Sequence, residues 1–373
     1  MTEEKNNFKA ILIMAAIGSY LLWSAGAAIP LLRLDLEISR TLASAHNIAV
    51  GLSAPLGARL AVPLITRYGR EWVLRAMLLL MFVGVLALVT APTILITVPA
   101  VGCAAFSQTI VNSISLAQIS HDSAPSMRRM MIQTGIQALV GATAILLISA
   151  SLYLGYGWRS PIVLGAIILT PVSLYSIWRV KFITPESDTS RSPTAPRAAR
   201  ETKIVAYGVI NSILEVGIGF WALDLLVSRN APVALGALGS AILSYGIATG
   251  RLSMAFFQPS SQIVIRFATS SLIIGILIIC IFEDSILTMA GLTIAALGIS
   301  PLFGLGAFRV SEGFTHADYR ISRYMMGTAF SYGFAPFALA IIFDNYGYVI
   351  GYGSLLPFAI GGYLMWRVNG PEK

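Results

Sequence analysis

Twelve stretches of about twenty apolar residues, each bounded by charged or turn-forming residues, dominate the 373-residue sequence. They fall at 9–31, 42–65, 72–91, 93–117, 131–154, 160–179, 204–227, 233–256, 262–282, 285–308, 321–343 and 348–367. A helix needs about 20 such residues to cross the hydrocarbon layer, where every backbone N–H and C=O must be satisfied within the segment. The pattern predicts an all-α membrane protein of twelve transmembrane helices. Composition agrees: only 11% of residues are charged, against about 25% in a soluble domain. Pro55, Pro63 and Pro336 lie inside predicted spans, as transmembrane helices tolerate. The first run resembles a signal peptide, but Glu3 and Glu4 flank it and it continues to Leu32. It reads as an uncleaved first helix.

The charges sort by side. With the N-terminus inside, the cytoplasmic segments hold 20 of the 25 Lys and Arg, the outer loops hold Arg33, Arg40, Arg159 and Arg229, and Arg59 lies within a span. This bias predicts a multi-pass protein of the inner membrane with both termini in the cytoplasm. It also explains the net charge of +8 as topogenic, which leaves nucleic acid without a role. Cys103 and Cys280 both sit in apolar runs, and three histidines form no cluster with them. No metal or other cofactor is expected.

One polar stretch, 181-KFITPESDTSRSPTAPRAARETK-203, follows the sixth span. Its Ser, Thr, Pro and charges predict a cytoplasmic linker between an N-terminal six-helix bundle (1–180) and a C-terminal one (204–373). The halves carry weak internal similarity. Gly57-Ala58-Arg59-Leu60 matches Thr249-Gly250-Arg251-Leu252 at an offset of 192, and Tyr156-Gly157-Trp158 matches Tyr346-Gly347-Tyr348 at 190. The agreement points to a parallel six-plus-six duplication.

The loop between the second and third spans reads 62-VPLITRYGREWVLR-75. It resembles the loop motif of the major facilitator superfamily (MFS), Gly-x-Leu-x-Asp-Arg-x-Gly-Arg-Lys/Arg, at Leu64, Arg67, Gly69 and Arg70. Val62, Thr66 and Glu71 replace the first Gly, the Asp and the final basic residue. The segment Pro30–Ser39, Gly157-Trp158-Arg159 and 102-GCAAF-106 are similar to further family features, while Val98 stands where proton-driven exporters carry Arg. His46, Glu215, Trp221 and 297-LGISPLF-303 resemble a loosely characterised bacterial permease group. The resemblance implies two bundles rocking about a central cavity, with Arg67, Gly69 and Arg70 in a cytoplasmic latch between the halves.

Single residues then carry the chemistry. Glu215 lies about 11 residues into the seventh span, near the midplane, where a charge costs at least about 2.5 kcal/mol. It must face a cavity, be protonated, or pair, with Arg251 as the candidate partner. The functional reading makes it a proton-coupling group, with Asp224 and His46 behind it. The reading favoured for Asp224 is an ordinary interfacial charge, and for His46 a packed, hydrogen-bonded ring. Trp23, Gln108, Asn112, Asn211, Trp221 and Tyr332 are candidate cavity residues; the amides share helix faces as Gln108/Asn112 and Asn211/Glu215. As alternatives, polar pairs glue helices and tryptophans anchor at the interface. Arg59 and Arg251, matched between the halves, either snorkel to the headgroups or close a cytoplasmic gate.

The sequence contains no Gly-x-x-x-x-Gly-Lys-Ser/Thr nucleotide-binding motif. The reading is a monomeric secondary transporter of a small, neutral organic solute, coupled to protons. The rival is an integral membrane enzyme or a non-transporting receptor. An enzyme needs clustered acid, base, nucleophile or metal ligands.

Overall fold

A computed structural model of the chain describes residues 2–38, 40–43, 45–120, 127–179, 198–312 and 317–368. Among them every regular element is a helix. The first half holds α1 (Thr2–Asp35), a short α2 (Arg40–Ala43), α3 (Ala45–Tyr68), α4 (Arg70–Thr90), α5 (Ile94–Ser120), α6 (Met127–Tyr153) and α7 (Arg159–Ile177). The second holds α8 (Ala198–Phe220), α9 (Ala222–Ser228), α10 (Val233–Phe257), α11 (Ser261–Ile281), α12 (Ser285–Ile299), α13 (Leu302–Ser311), α14 (Ala317–Gly353) and α15 (Leu356–Val368).

Ten helical stretches among the described residues are long and apolar enough to cross a membrane. Helix α10, with 25 residues, adds another. Gly347, at φ 79°, breaks α14, so that the chain from Tyr348 to Val368 forms a separate crossing. These bring the architecture to the twelve expected spans. Their outer faces carry large apolar side chains, among them Leu52, Leu95, Phe256 and Ile286, as a lipid-facing surface requires.

Two of the expected spans, 204–227 and 285–308, carry an internal break. The tenth breaks at Ser300–Pro301 into α12 and α13. Proline has no N–H to donate to the Leu297 carbonyl, and the Ser300 hydroxyl takes that acceptor instead at 2.7 Å. The seventh breaks at Trp221 into α8 and α9, where the indole N–H donates to the Pro336 carbonyl of α14 at 3.0 Å. Of the stretch expected as a linker, residues 198–203 belong to α8; residues 180–197 lie outside the described ones.

Two seams join the halves: α3 against α14, and α6 against α10. In the first, Gly51 and Gly333 bring their backbones together so closely that a Cβ on Gly333 would stand 1.9 Å from the Gly51 Cα. Further along it, the Ser322 hydroxyl donates to the Ala58 carbonyl. In the second, the hydroxyls of Thr143 and Tyr245 lie 3.4 Å apart. The functional site lies between these seams.

Candidate functional site: a buried ion pair in the central cavity

Between the seams is a small cavity of about 100 Å³. Ser19 and Trp23 of α1, Gln108, Thr109 and Asn112 of α5, and Gln137 of α6 line it from the first half. Glu215, Arg251, Phe303, Thr328 and Tyr332 line it from the second. Four of the six expected cavity residues are here: Trp23, Gln108, Asn112 and Tyr332. Asn211 and Trp221 are not in the lining. Asn211 donates to the Leu302 carbonyl and the Tyr324 hydroxyl, both at 3.3 Å, and Trp221 packs on α14 with its ring edge-on to Phe343. Asn211 and Glu215 do share one side of α8, but a four-residue step turns about 40° round the helix. That rotation points one at α13 and α14 and the other at the cavity.

Glu215 is 6% exposed and Arg251 4%. Nη2 of Arg251 donates to both carboxylate oxygens at 2.9 Å. The remaining contacts of the guanidinium are anchors. Nε donates at 2.7 Å to the Ser300 carbonyl, at the α12–α13 break. Nη1 donates at 3.2 Å to the Thr134 carbonyl of α6, in the other half of the chain. The Phe303 ring lies 5.7 Å from the guanidinium carbon. Tyr332 lines the same cavity wall as Glu215. A charge that water no longer solvates is thereby kept by a partner and by fixed dipoles.

The first half contributes a chain of amides. Asn112 Oδ1 accepts from Gln137 Nε2 at 2.6 Å and from Gln108 Nε2 at 3.2 Å, and Gln137 also donates to the Ala15 carbonyl at 3.3 Å. Gln137 was not among the expected residues, though its signal was of the same kind: an amide in an apolar span, one turn from a second, Gln133.

The two arginines matched in sequence are placed differently. Arg251 is buried in the cavity, whereas Arg59 is exposed on the outer face of α3, along the stripe of Leu52, Leu56 and Pro63. The latch region behaves differently. Arg70 opens α4 after Gly69, whose φ of 80° makes the sharp α3–α4 corner, and its Nη2 donates to both carboxylate oxygens of Asp318 at 2.9 Å. Asp318 lies in the first turn of α14, so this pair ties the two halves on the side where the chain starts and ends. Arg67 is exposed and stacks on Tyr68, 5.2 Å from the ring centre. Asp318 supplies the carboxylate that Thr66 lacks, from a stretch (317-ADYR-320) that reads as an ordinary helix start.

His46 is fully buried in the first half. Its Nδ1 faces the Ala43 carbonyl at 2.8 Å and its Nε2 the Thr97 hydroxyl at 2.9 Å. A carbonyl only accepts, so Nδ1 carries a proton. The hydroxyl can donate to Nε2, and the pair of partners suits a neutral packed ring. Asp224 lies in the first turn of α9, outside the cavity lining.

The sequence matches no protein-family model and no curated protein. The fold, in contrast, is shared with solved transporters. The proton:xylose symporter XylE, an MFS protein solved with 6-bromo-6-deoxy-D-glucose, superposes at a TM-score of 0.76 and 13% identity over 98% of this chain and 96% of its own. The E. coli fucose:proton symporter FucP gives 0.73 and 11%, over 97% and 100%. The nucleoside transporter NupG gives 0.68 and 11%, over 97% and 100%. At these identities the likeness is one of architecture. The chain is a multi-pass membrane protein with the fold of the major facilitator superfamily.

Proposed function

We propose that this chain is a secondary transporter of the inner membrane that moves a small organic solute by alternating access, with a proton as the coupling ion and Glu215 as its carrier. The observation behind the proposal is the Glu215–Arg251 pair: an acid and a base buried in a cavity between two halves, with the base also bonded across the seam at Thr134. Protonating Glu215 removes half of an ion pair in a low-dielectric site, so it changes the energy of the contacts that hold the halves together. Proteins of the same fold that are proton symporters or a nucleoside transporter support the reading. The Lys and Arg bias of the loops supports a cytoplasmic location for both termini. Asp224 and His46 stand behind Glu215 as coupling candidates, and the hydrogen bonds of His46 favour a packing role. Against the rival enzyme, the described cavity lining holds one carboxylate and one guanidinium, paired with each other.

The test is flux in proteoliposomes. Glu215→Gln keeps a neutral side chain in place and is expected to retain exchange of solute while losing accumulation driven by a pH gradient. A Gln variant that still concentrates solute moves the coupling role elsewhere.

A further inference from the structure

The two members of the buried pair are not held equally. Arg251 has anchors that do not depend on the acid: its Nε and Nη1 are bonded to the Ser300 and Thr134 carbonyls. Glu215 is held by Arg251 alone among the hydrogen bonds of the described residues. If the pair opens, the carboxylate is the partner that can leave. A cationic solute would have to pull Arg251 from two carbonyls and a ring. An anionic one has only to take the place of the carboxylate on Nη2.

Charge balance points the same way. Among the described residues, the charged or titratable groups that line the cavity with Glu215 are Arg251 from α10 and Tyr332 from α14, with Tyr324 of α14 behind them; α1, α3, α5, α6 and α13 present neutral side chains to the cavity. The site is therefore neutral when the pair is intact and carries one positive charge once Glu215 is protonated. An uncompensated charge in that setting is unfavourable. A bound monoanion restores neutrality, and two anions on one guanidinium do not.

We propose that the cavity takes a small organic monoanion, a carboxylate or sulfonate, which replaces Glu215 on Arg251, and that Glu215 takes up one proton for each anion bound. The aromatic walls, Trp23 and Phe303, suit its apolar end, and the Asn112 amide nitrogen is a further donor on the cavity wall. This anion class differs from the neutral substrate expected from the sequence, because the structure places Arg251 in the cavity lining. The proposal deepens the transport reading and rests on it for the direction of travel, but binding alone tests the ligand class.

The experiment is calorimetric titration of the purified protein in lipid nanodiscs. The probes are acetate, benzoate, methanesulfonate and benzenesulfonate, with acetamide, benzamide and the matching sulfonamides as neutral counterparts. Between about pH 6 and 8.5 all four anions are ionised. Where Glu215 is ionised in the empty protein, the binding-competent fraction falls tenfold per pH unit, so the anion Kd is expected to rise by about tenfold per unit. Repeating the titration in buffers of different ionisation enthalpy should show one proton absorbed per anion. Glu215→Gln should bind the anions with an affinity that no longer varies with pH and without proton uptake. Arg251→Gln should lose anion binding, and Arg251→Lys should retain a weakened, still pH-dependent response. Anion affinity that is flat with pH in the unaltered protein, amides that bind as tightly as their acids, or no binding by any of the anions overturns the proposal. Since the unaltered protein carries the decisive series, a variant that fails to fold leaves it testable. Glu215-dependent accumulation of a solute in liposomes, together with failure of all four anions to bind, would remove the anion class and leave the transporter standing.

Discussion

At the scale of single residues, an ion pair with both partners almost wholly removed from water is a weak source of net stability. Desolvation offsets most of the Coulomb attraction, so an intact pair contributes little, whereas a lone buried member costs about 3–5 kcal/mol. Arg251→Met alone is therefore expected to destabilise by that amount, because it strands the Glu215 carboxylate 6% exposed. The double variant Glu215→Gln/Arg251→Met should recover most of the loss. Thermal unfolding in detergent, read as the ordering of midpoints, checks this: a double variant as unstable as the single one would mean that Arg251 acts mainly through the Ser300 and Thr134 carbonyls. The sequence showed that Glu215 needed a cavity, a proton or a partner, because an acid amid apolar residues leaves few alternatives, and Arg251 was the partner it offered. It did not show Arg251 as a cavity residue. The sequence gives distance along a helix, but a long side chain and the crossing of α8 with α10 decide which charges meet. Azimuth is hidden in the same way, which is why Asn211 and Trp221, similar in character to Gln108 and Trp23, point elsewhere.

At the scale of elements, the seam between α3 and α14 depends on what is missing from it. A Cβ on Gly333 would lie 1.9 Å from the Gly51 Cα and 2.2 Å from its nitrogen. Those are backbone atoms, which cannot turn aside as a side chain does, so the two helices would have to separate. Overpacking of this kind typically costs 1–3 kcal/mol. Gly333→Ala is expected to lower the unfolding midpoint and weaken solute binding together. Gly26→Ala, where nothing lies within 4 Å, is expected to be neutral or mildly stabilising through its helix propensity, by up to about 1 kcal/mol. Equal behaviour of the two variants would show that the seam adapts and does not need the close approach. The elements themselves were legible because membrane helices announce themselves by length and hydropathy. The breaks at Trp221 and Ser300–Pro301 were less so, since proline is common within spans and only some prolines interrupt them. The break at Pro301 matters to function because the Ser300 carbonyl beside it anchors Arg251. The Gly51–Gly333 approach left no sequence signal at all, as both are single glycines among 33 in the chain.

At the scale of the whole molecule, alternating access requires contacts that exist in one conformation and not in the other, and the side carrying the chain's ends is closed here by such contacts. Arg70 reaches Asp318 across the halves with its side chain 1% exposed and that of the aspartate 22%, and Gly304 of α13 sits against Met131 and Thr134 of α6. Separation of the halves on this side breaks the Arg70–Asp318 pair and exposes its charges to water; it leaves pairs within one half unchanged. Removing Arg70 therefore biases the balance toward the state open on that side by whatever the pair contributes in the closed state, and each 1.4 kcal/mol is tenfold in population. Arg75 supplies the control, because it pairs with Glu71 one turn away on the same helix and that contact survives either conformation. A reporter is available at Ser115 of α5, which is 1% exposed and whose hydroxyl has no hydrogen-bond partner among the described residues. In a background with Cys103 and Cys280 replaced, Ser115→Cys should react with a membrane-impermeant thiol reagent, added to the side of the termini, about tenfold faster when combined with Arg70→Ala, for a pair contributing about 1.4 kcal/mol. Arg75→Ala should leave the rate unchanged. Equal acceleration by both would reduce Arg70 to a contribution to surface charge, and no acceleration by Arg70→Ala would mean that the α3–α14 and α6–α10 seams keep this side shut without the ion pair.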